Sequence, residues 1–227
     1  MRTLIRVVVA SLFLPVSLAF AEPAQKEFEP SGGKGPALVL VSGQTGPGNY
    51  NDLAKDLSGA GFHVVLVDGN DFWIKGGAGE TLLKDVITRA QQSSHSSGGK
   101  VSVIGASLGG GPTLAYAARM PDLVSAVVAH YPLTSYITDP AGFVAKIRVP
   151  TLVLAGTFDT YKNCCLIETA RKLGEASKAA PKPGLLQVYE YPGIDHGFST
   201  DNAKRSDIKS DATKRTVEFL RQNAGTT

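Results

Sequence analysis

Six apolar runs of strand length, separated by segments of helix length, limit the class of fold open to this chain. They are Ala37–Val41, His63–Val67, Val101–Ile104, Val124–Ala129, Thr151–Ala155 and Leu185–Tyr191. Most lack the polar alternation of a strand that faces water on one side, so they read as strands covered on both faces. Helical spacing fills the gaps at Leu53–Ala60, Thr81–Gln92, Leu108–Arg119 and Leu166–Lys178. It returns at Ile208–Gln222, where Ile208, Ala212, Thr216, Phe219 and Leu220 form an inward stripe. The alternation predicts a mainly parallel sheet of about six strands with helices on both faces. Pro23–Gly35 is expected to be a flexible lead-in or to carry one short edge strand. Pro132–Val149 is expected to be a long irregular connection, too short for a lid domain.

The first residues differ in kind. Met1–Arg6 is basic, Val7–Phe20 is apolar, and Ala19-Phe20-Ala21 has the small-x-small form cut by signal peptidase. This predicts a cleaved signal peptide over residues 1–21 and a single domain over 22–227. A membrane anchor is the alternative, but Pro15 interrupts the run, which is shorter than the ~20 residues of a spanning helix. No cysteine follows the cut to take a lipid, so a soluble chain in a bacterial periplasm or outside the cell is expected, with no membrane contact. The formal charge of +3 includes Arg2 and Arg6, which leaves +1 without them, and the remaining acids and bases are interspersed. Nucleic acid and anionic membrane surfaces are therefore not expected partners.

The only cysteines, Cys164 and Cys165, are adjacent. Neighbouring Cα atoms lie ~3.8 Å apart, closer than disulfides favour, so the preferred reading is two partly buried thiols at a helix start. A strained ring joining them is the alternative. No histidine or second cysteine pair has ligand spacing, and neither a metal nor a cofactor is expected.

The chemistry is concentrated where strands end. Gly105-Ala106-Ser107-Leu108-Gly109 falls between the run Val101–Ile104 and the helical segment that follows. A sharp strand-to-helix turn there would push Ser107 out above the sheet edge, with Gly105 and Gly109 supplying room. Thr151–Ala155 leads through Gly156-Thr157-Phe158 to Asp159, and Leu185–Tyr191 leads through Pro192-Gly193-Ile194-Asp195 to His196. The order Ser, Asp, His, each past its own strand, is that of an α/β-hydrolase triad. Ser107 reads as the nucleophile, His196 as the general base and Asp159 as the acid that orients it. Asp195 is the rival acid, disfavoured because a direct neighbour of His196 reaches the far ring nitrogen poorly. His130 reads as a satisfied histidine in or near the core, and His63 lies at the opposite strand edge. The oxyanion donors are expected to be the N–H groups of Leu108 and of Gln44, in the loop Ser42–Gly46 after the first strand. Tyr50, Phe72, Trp73, Tyr131, Phe158 and Phe198 follow strand ends and are candidate pocket walls.

On these residues the chain resembles the dienelactone hydrolase family of α/β-hydrolases over its whole mature region. The resemblance is carried by Gly105–Gly110, by Val149–Gly156 leading to Asp159, by His196-Gly197-Phe198 and by the lack of a cap domain. It implies an α/β-hydrolase fold and a cofactor-free acyl hydrolase. Family members that open dienelactones typically use cysteine where Ser107 stands and carry a glutamate where Gly43 stands. Those departures turn the expected substrate toward a small ester, lactone or related acyl compound, cleaved through an acyl-enzyme. A peptidase or acyltransferase using the same residues, or a non-catalytic binding protein on the same fold, are the alternatives.

Overall fold

The computed structural model describes residues 24–73, 77–198 and 202–224; the expected signal peptide lies outside them. Seven strands form one sheet: β1 (Gln25–Phe28), β2 (Ala37–Val41), β3 (His63–Val67), β4 (Val101–Ala106), β5 (Val124–His130), β6 (Thr151–Gly156) and β7 (Leu186–Tyr191). Their spatial order is β1-β3-β2-β4-β5-β6-β7, with β1 antiparallel to β3 and every other pair parallel. The chain runs outward from β2 to β3, then crosses back to place β4 on the other side of β2. The loops after β2 and β4 therefore diverge and leave a crevice at the carboxyl edge, where ligands of open α/β sheets bind.

Alternate residues of the central strands serve different cores. Val39 and Val41 of β2 face a cluster that includes Leu83, Val86 and Ile87 of α2 (Ala78–Gln92), Leu114 of α3 (Gly110–Ala115) and Leu173 of α5 (Ile167–Ala179). Leu38 and Leu40 face the other side, against Leu57 of α1 (Asn51–Gly59) and Ala212, Phe219 and Leu220 of α6 (Asn202–Asn223). Burial on both faces is the physical reason these strands read as unbroken apolar runs. The fold is an α/β-hydrolase fold without a lid domain among the described residues. No described helix is long and apolar enough to cross a membrane.

Three elements depart from expectation. The segment Leu108–Arg119 is not one helix: a 3-10 turn over Ser107–Gly109 precedes α3, and Tyr116, with φ −116° and ψ −63°, breaks it from a second turn over Ala117–Arg119. Three consecutive glycines and Pro112, which has no N–H to donate, weaken helix propagation there. The connection Pro132–Val149 holds a short helix, α4 (Pro140–Val144), started by Asp139, whose Oδ1 accepts the Gly142 N–H at 3.0 Å. Finally, Cys164 and Cys165 are not thiols but are joined as a disulfide, leaving no free cysteine among the described residues. Adjacency disfavours such a ring without forbidding it.

Candidate active site

The turn after β4 is left-handed at a residue that has a side chain, for Ser107 has φ 51°. Such a conformation persists only where its surroundings enforce it. Here a Cβ on Gly105 would run into Thr113 Oγ1 and the Gly109 backbone, and one on Gly109 into the carbonyls of Val41 and Ser42. Glycine at both positions lets α3 fold back tightly against β2 and β4. The Leu133 N–H donates to the Ser107 carbonyl at 2.7 Å and fixes the turn from the β5 side.

Three strand ends then meet. Ser107 Oγ lies 2.9 Å from His196 Nε2, and His196 Nδ1 lies 2.7 Å from Asp159 Oδ2. Asp159 is only 2% exposed, and its other oxygen accepts the Tyr161 N–H at 3.1 Å. With its acceptors engaged on both sides, the carboxylate is held in one orientation toward the imidazole. Asp195 is exposed and its Oδ1 accepts the His196 backbone N–H at 2.7 Å, so it does not face the ring nitrogen. The imidazole is held between two aromatic rings: Tyr161 stacks on it at 4.5 Å with a 9° interplanar angle, and Tyr131 meets it edge-on at 5.0 Å.

Gln44 lines the same cavity, and its loop is tied down from two directions. The Asn70 Nδ2 donates to the Gln44 carbonyl at 3.2 Å, and Lys162 Nζ donates to Gln44 Oε1 at 3.3 Å. Leu108 follows Ser107 in the elbow, where its carbonyl accepts from Trp73 Nε1 at 3.2 Å. Gly43 is packed closely, since a Cβ there would meet the Tyr50 hydroxyl and Ser107 Cβ. Burial pushes the Tyr50 phenol up, against the smaller opposing pull of hydrogen bonds with Tyr131 and the Gly43 backbone, so it remains a neutral hydroxyl at physiological pH.

The cavity measures about 550 Å³. Ser107, His196, Tyr50, Tyr131 and Phe198 line it, and it continues onto α1 through Asp52 and Asp56 and onto α6 through Lys209 and Thr213. Of the six aromatic residues expected as walls, three are there and three are not. Phe72 is fully buried in the core beneath α2. Trp73 covers Gly111 and meets Tyr136 edge-on at 5.3 Å. Phe158 is 68% exposed and points away from the cavity lining. A position just past a strand end brings a residue to the correct edge but leaves open which way its side chain turns. Tyr161 and the α1 and α6 contributions were not expected. The first is legible in retrospect as the second residue after Asp159, placed to donate its N–H to that carboxylate. The helix residues carry no local signal.

His130 lies at the end of β5 and is buried, with Nε2 2.8 Å from Thr216 Oγ1 on α6. Burial lowers its pKa to about 4, so it is neutral at physiological pH. One group of metal-ligand type occurs among the described residues: an oxygen of Asp159, a ring nitrogen of His196 and Cys165 Sγ lie within 4.8 Å of one another. In the disulfide, that sulfur is not a thiolate.

A sequence model of the dienelactone hydrolase family matches residues 70–224. Solved structures share the fold at low identity. Est1E from Butyrivibrio proteoclasticus superposes with a TM-score of 0.67 at 14% identity, over 87% of this chain and 94% of its own. A monoacylglycerol lipase from Paleococcus ferrophilus gives 0.65 at 19%, over 87% and 99%. Esterase 2 from Thermogutta terrifontis gives 0.66 at 18%, over 87% and 88%. No curated protein sequence matches the chain.

Proposed function

The chain belongs to the dienelactone hydrolase family, and from that premise we propose that it is a secreted serine hydrolase acting on a small ester, lactone or related acyl compound through Ser107, His196 and Asp159. The observation that carries the reading is the unbroken hydrogen-bonded series from Ser107 Oγ through His196 to buried Asp159 at the wall of the cavity. Ser107 Oγ attacks the acyl carbon while its proton passes to His196 Nε2. Asp159 holds the proton on Nδ1 and stabilises the imidazolium that forms. The negative charge on the substrate oxygen is taken by the N–H groups of Leu108 and Gln44. His196 then protonates the departing alkoxide, and a water activated by the same nitrogen releases the acid from Ser107.

Substrate size follows from the same cavity. No lid domain covers it among the described residues, and polar residues of α1 and α6 border it. Its lining is mixed, with Tyr50, Tyr131 and Phe198 beside polar residues of α1 and α6, and its size suits short acyl groups. Secretion is supported by the basic, apolar and small-x-small order of residues 1–21. It predicts that the exported protein begins at Glu22 when its N-terminus is sequenced.

The test of the reaction is covalent labelling. A fluorophosphonate should modify the folded wild-type chain once, on the peptide that contains Ser107, and leave Ser107→Ala unlabelled. Labelling that survives the substitution would sink the assignment.

A further inference from the structure

We propose that Cys164–Cys165 gates a metal-binding site built from Cys165, His196 and Asp159, so that reduction of the disulfide makes the hydrolase open to inhibition by a thiophilic divalent cation such as Zn²⁺. The binding half stands on geometry alone; the inhibition half rests on the catalytic reading above.

Cys165 is buried at 3% exposure, and its sulfur belongs to the group of three donors that lie within 4.8 Å of one another. The loop is pinned there. The Cys164 carbonyl accepts the N–H groups of Thr134 and Ser135 at 2.8 and 3.0 Å, and the Cys164 N–H donates to the Tyr161 carbonyl at 2.9 Å. One sulfur, one imidazole nitrogen and one carboxylate oxygen form a donor set that zinc uses, at roughly 2.3 Å to sulfur and about 2.0–2.2 Å to nitrogen and oxygen. To take an ion, His196 Nδ1 and Asp159 Oδ2, hydrogen-bonded at 2.7 Å, must open by about half an ångström while the Cys165 sulfur closes on them. While Cys165 is bonded to Cys164, its sulfur cannot become a thiolate and the set is incomplete.

Reduction completes it. A dithiol reductant attacks the partly exposed Cys164 sulfur and breaks the S–S bond. Both cysteines end as thiols and the reductant as its own disulfide. The cation then displaces the Cys165 thiol proton to solvent and takes the His196 Nδ1 lone pair, while the Nδ1 proton moves to Nε2. That shift of tautomer turns Nε2 from acceptor to donor, so it can no longer receive the Ser107 proton. Asp159 is drawn to the ion as well, which removes the group that held the working tautomer.

The experiment uses the mature chain, either as isolated or reduced with a dithiol that is then removed without air. Zn²⁺ uptake is read by competition with a chromophoric chelator and hydrolysis by p-nitrophenyl acetate turnover. The reduced chain should bind one Zn²⁺ and lose at least tenfold in rate, recovering with EDTA, while the oxidised chain does neither. Cys164→Ser frees Cys165 and should bind Zn²⁺ without reductant. Cys165→Ser should bind no Zn²⁺ under either condition. Reduced Ser107→Ala should still bind Zn²⁺, so a failure of the catalytic reading leaves the binding result intact. Equal uptake before and after reduction, uptake that survives in Cys165→Ser, or a zinc-loaded reduced enzyme that keeps its full rate would overturn the proposal.

Discussion

Asp159 and Asp195 are both carboxylates near one imidazole, and they sit in different surroundings. Asp159 is buried with Oδ2 on His196 Nδ1 and Oδ1 on the Tyr161 N–H. Asp195 is in solvent and caps only the backbone of its neighbour. Asp159→Asn should therefore lower kcat by about 10⁴-fold, whereas Asp195→Asn should stay within a few-fold, both read on the same short ester. Comparable losses would show that the second carboxylate shares the role. This distinction was legible in the sequence, because an adjacent residue cannot easily reach the far side of the ring. The stacked Tyr161 and the sulfur beside the acid were not, since their approach depends on how one loop folds back.

At the scale of elements, the turn between β4 and α3 and the docking of α6 on β5 each make a measurable demand. Gly105→Ala would push a methyl into Thr113 Oγ1 and the Gly109 backbone. Overpacking of this kind costs about 1–3 kcal/mol, so the melting temperature should fall and activity should drop with it as the elbow shifts. His130 on β5 is buried neutral against Thr216 of α6. Its pKa in the fold is lowered to about 4, so between there and the ordinary value of about 6.5 the unfolded chain binds more protons than the folded one. Its contribution is present at neutral pH and is lost as pH falls through that window, by roughly 3 kcal/mol in full. Melting curves at pH 7.5 and 4.5 should show a larger loss for the wild type than for His130→Phe; equal losses would contradict the assignment. Strands β2 to β6 were legible because each is buried along its whole length. β1 was left open because Gln25, Lys26 and Glu27 give it the polar character of an exposed edge. α4 was missed because its five residues make little more than one turn and show no repeating stripe, although Asp139-Pro140 is a recognisable start.

Across the whole molecule, one open sheet with its switch point between β2 and β4 brings three distant segments to a single edge, where a partly polar cleft lies without a lid domain among the described residues. Turnover of p-nitrophenyl esters should accordingly be best with short acyl groups and show no jump above the critical micelle concentration. A maximum at long chains would contradict the preference for short acyl groups. The central claim is that Ser107 performs the chemistry, and it is tested most directly by kcat/KM of Ser107→Ala against the wild type on p-nitrophenyl acetate, with melting temperature as the control. A loss of about 10⁴-fold or more at an unchanged melting temperature is predicted, and a variant that retains activity within tenfold of the wild type would contradict it.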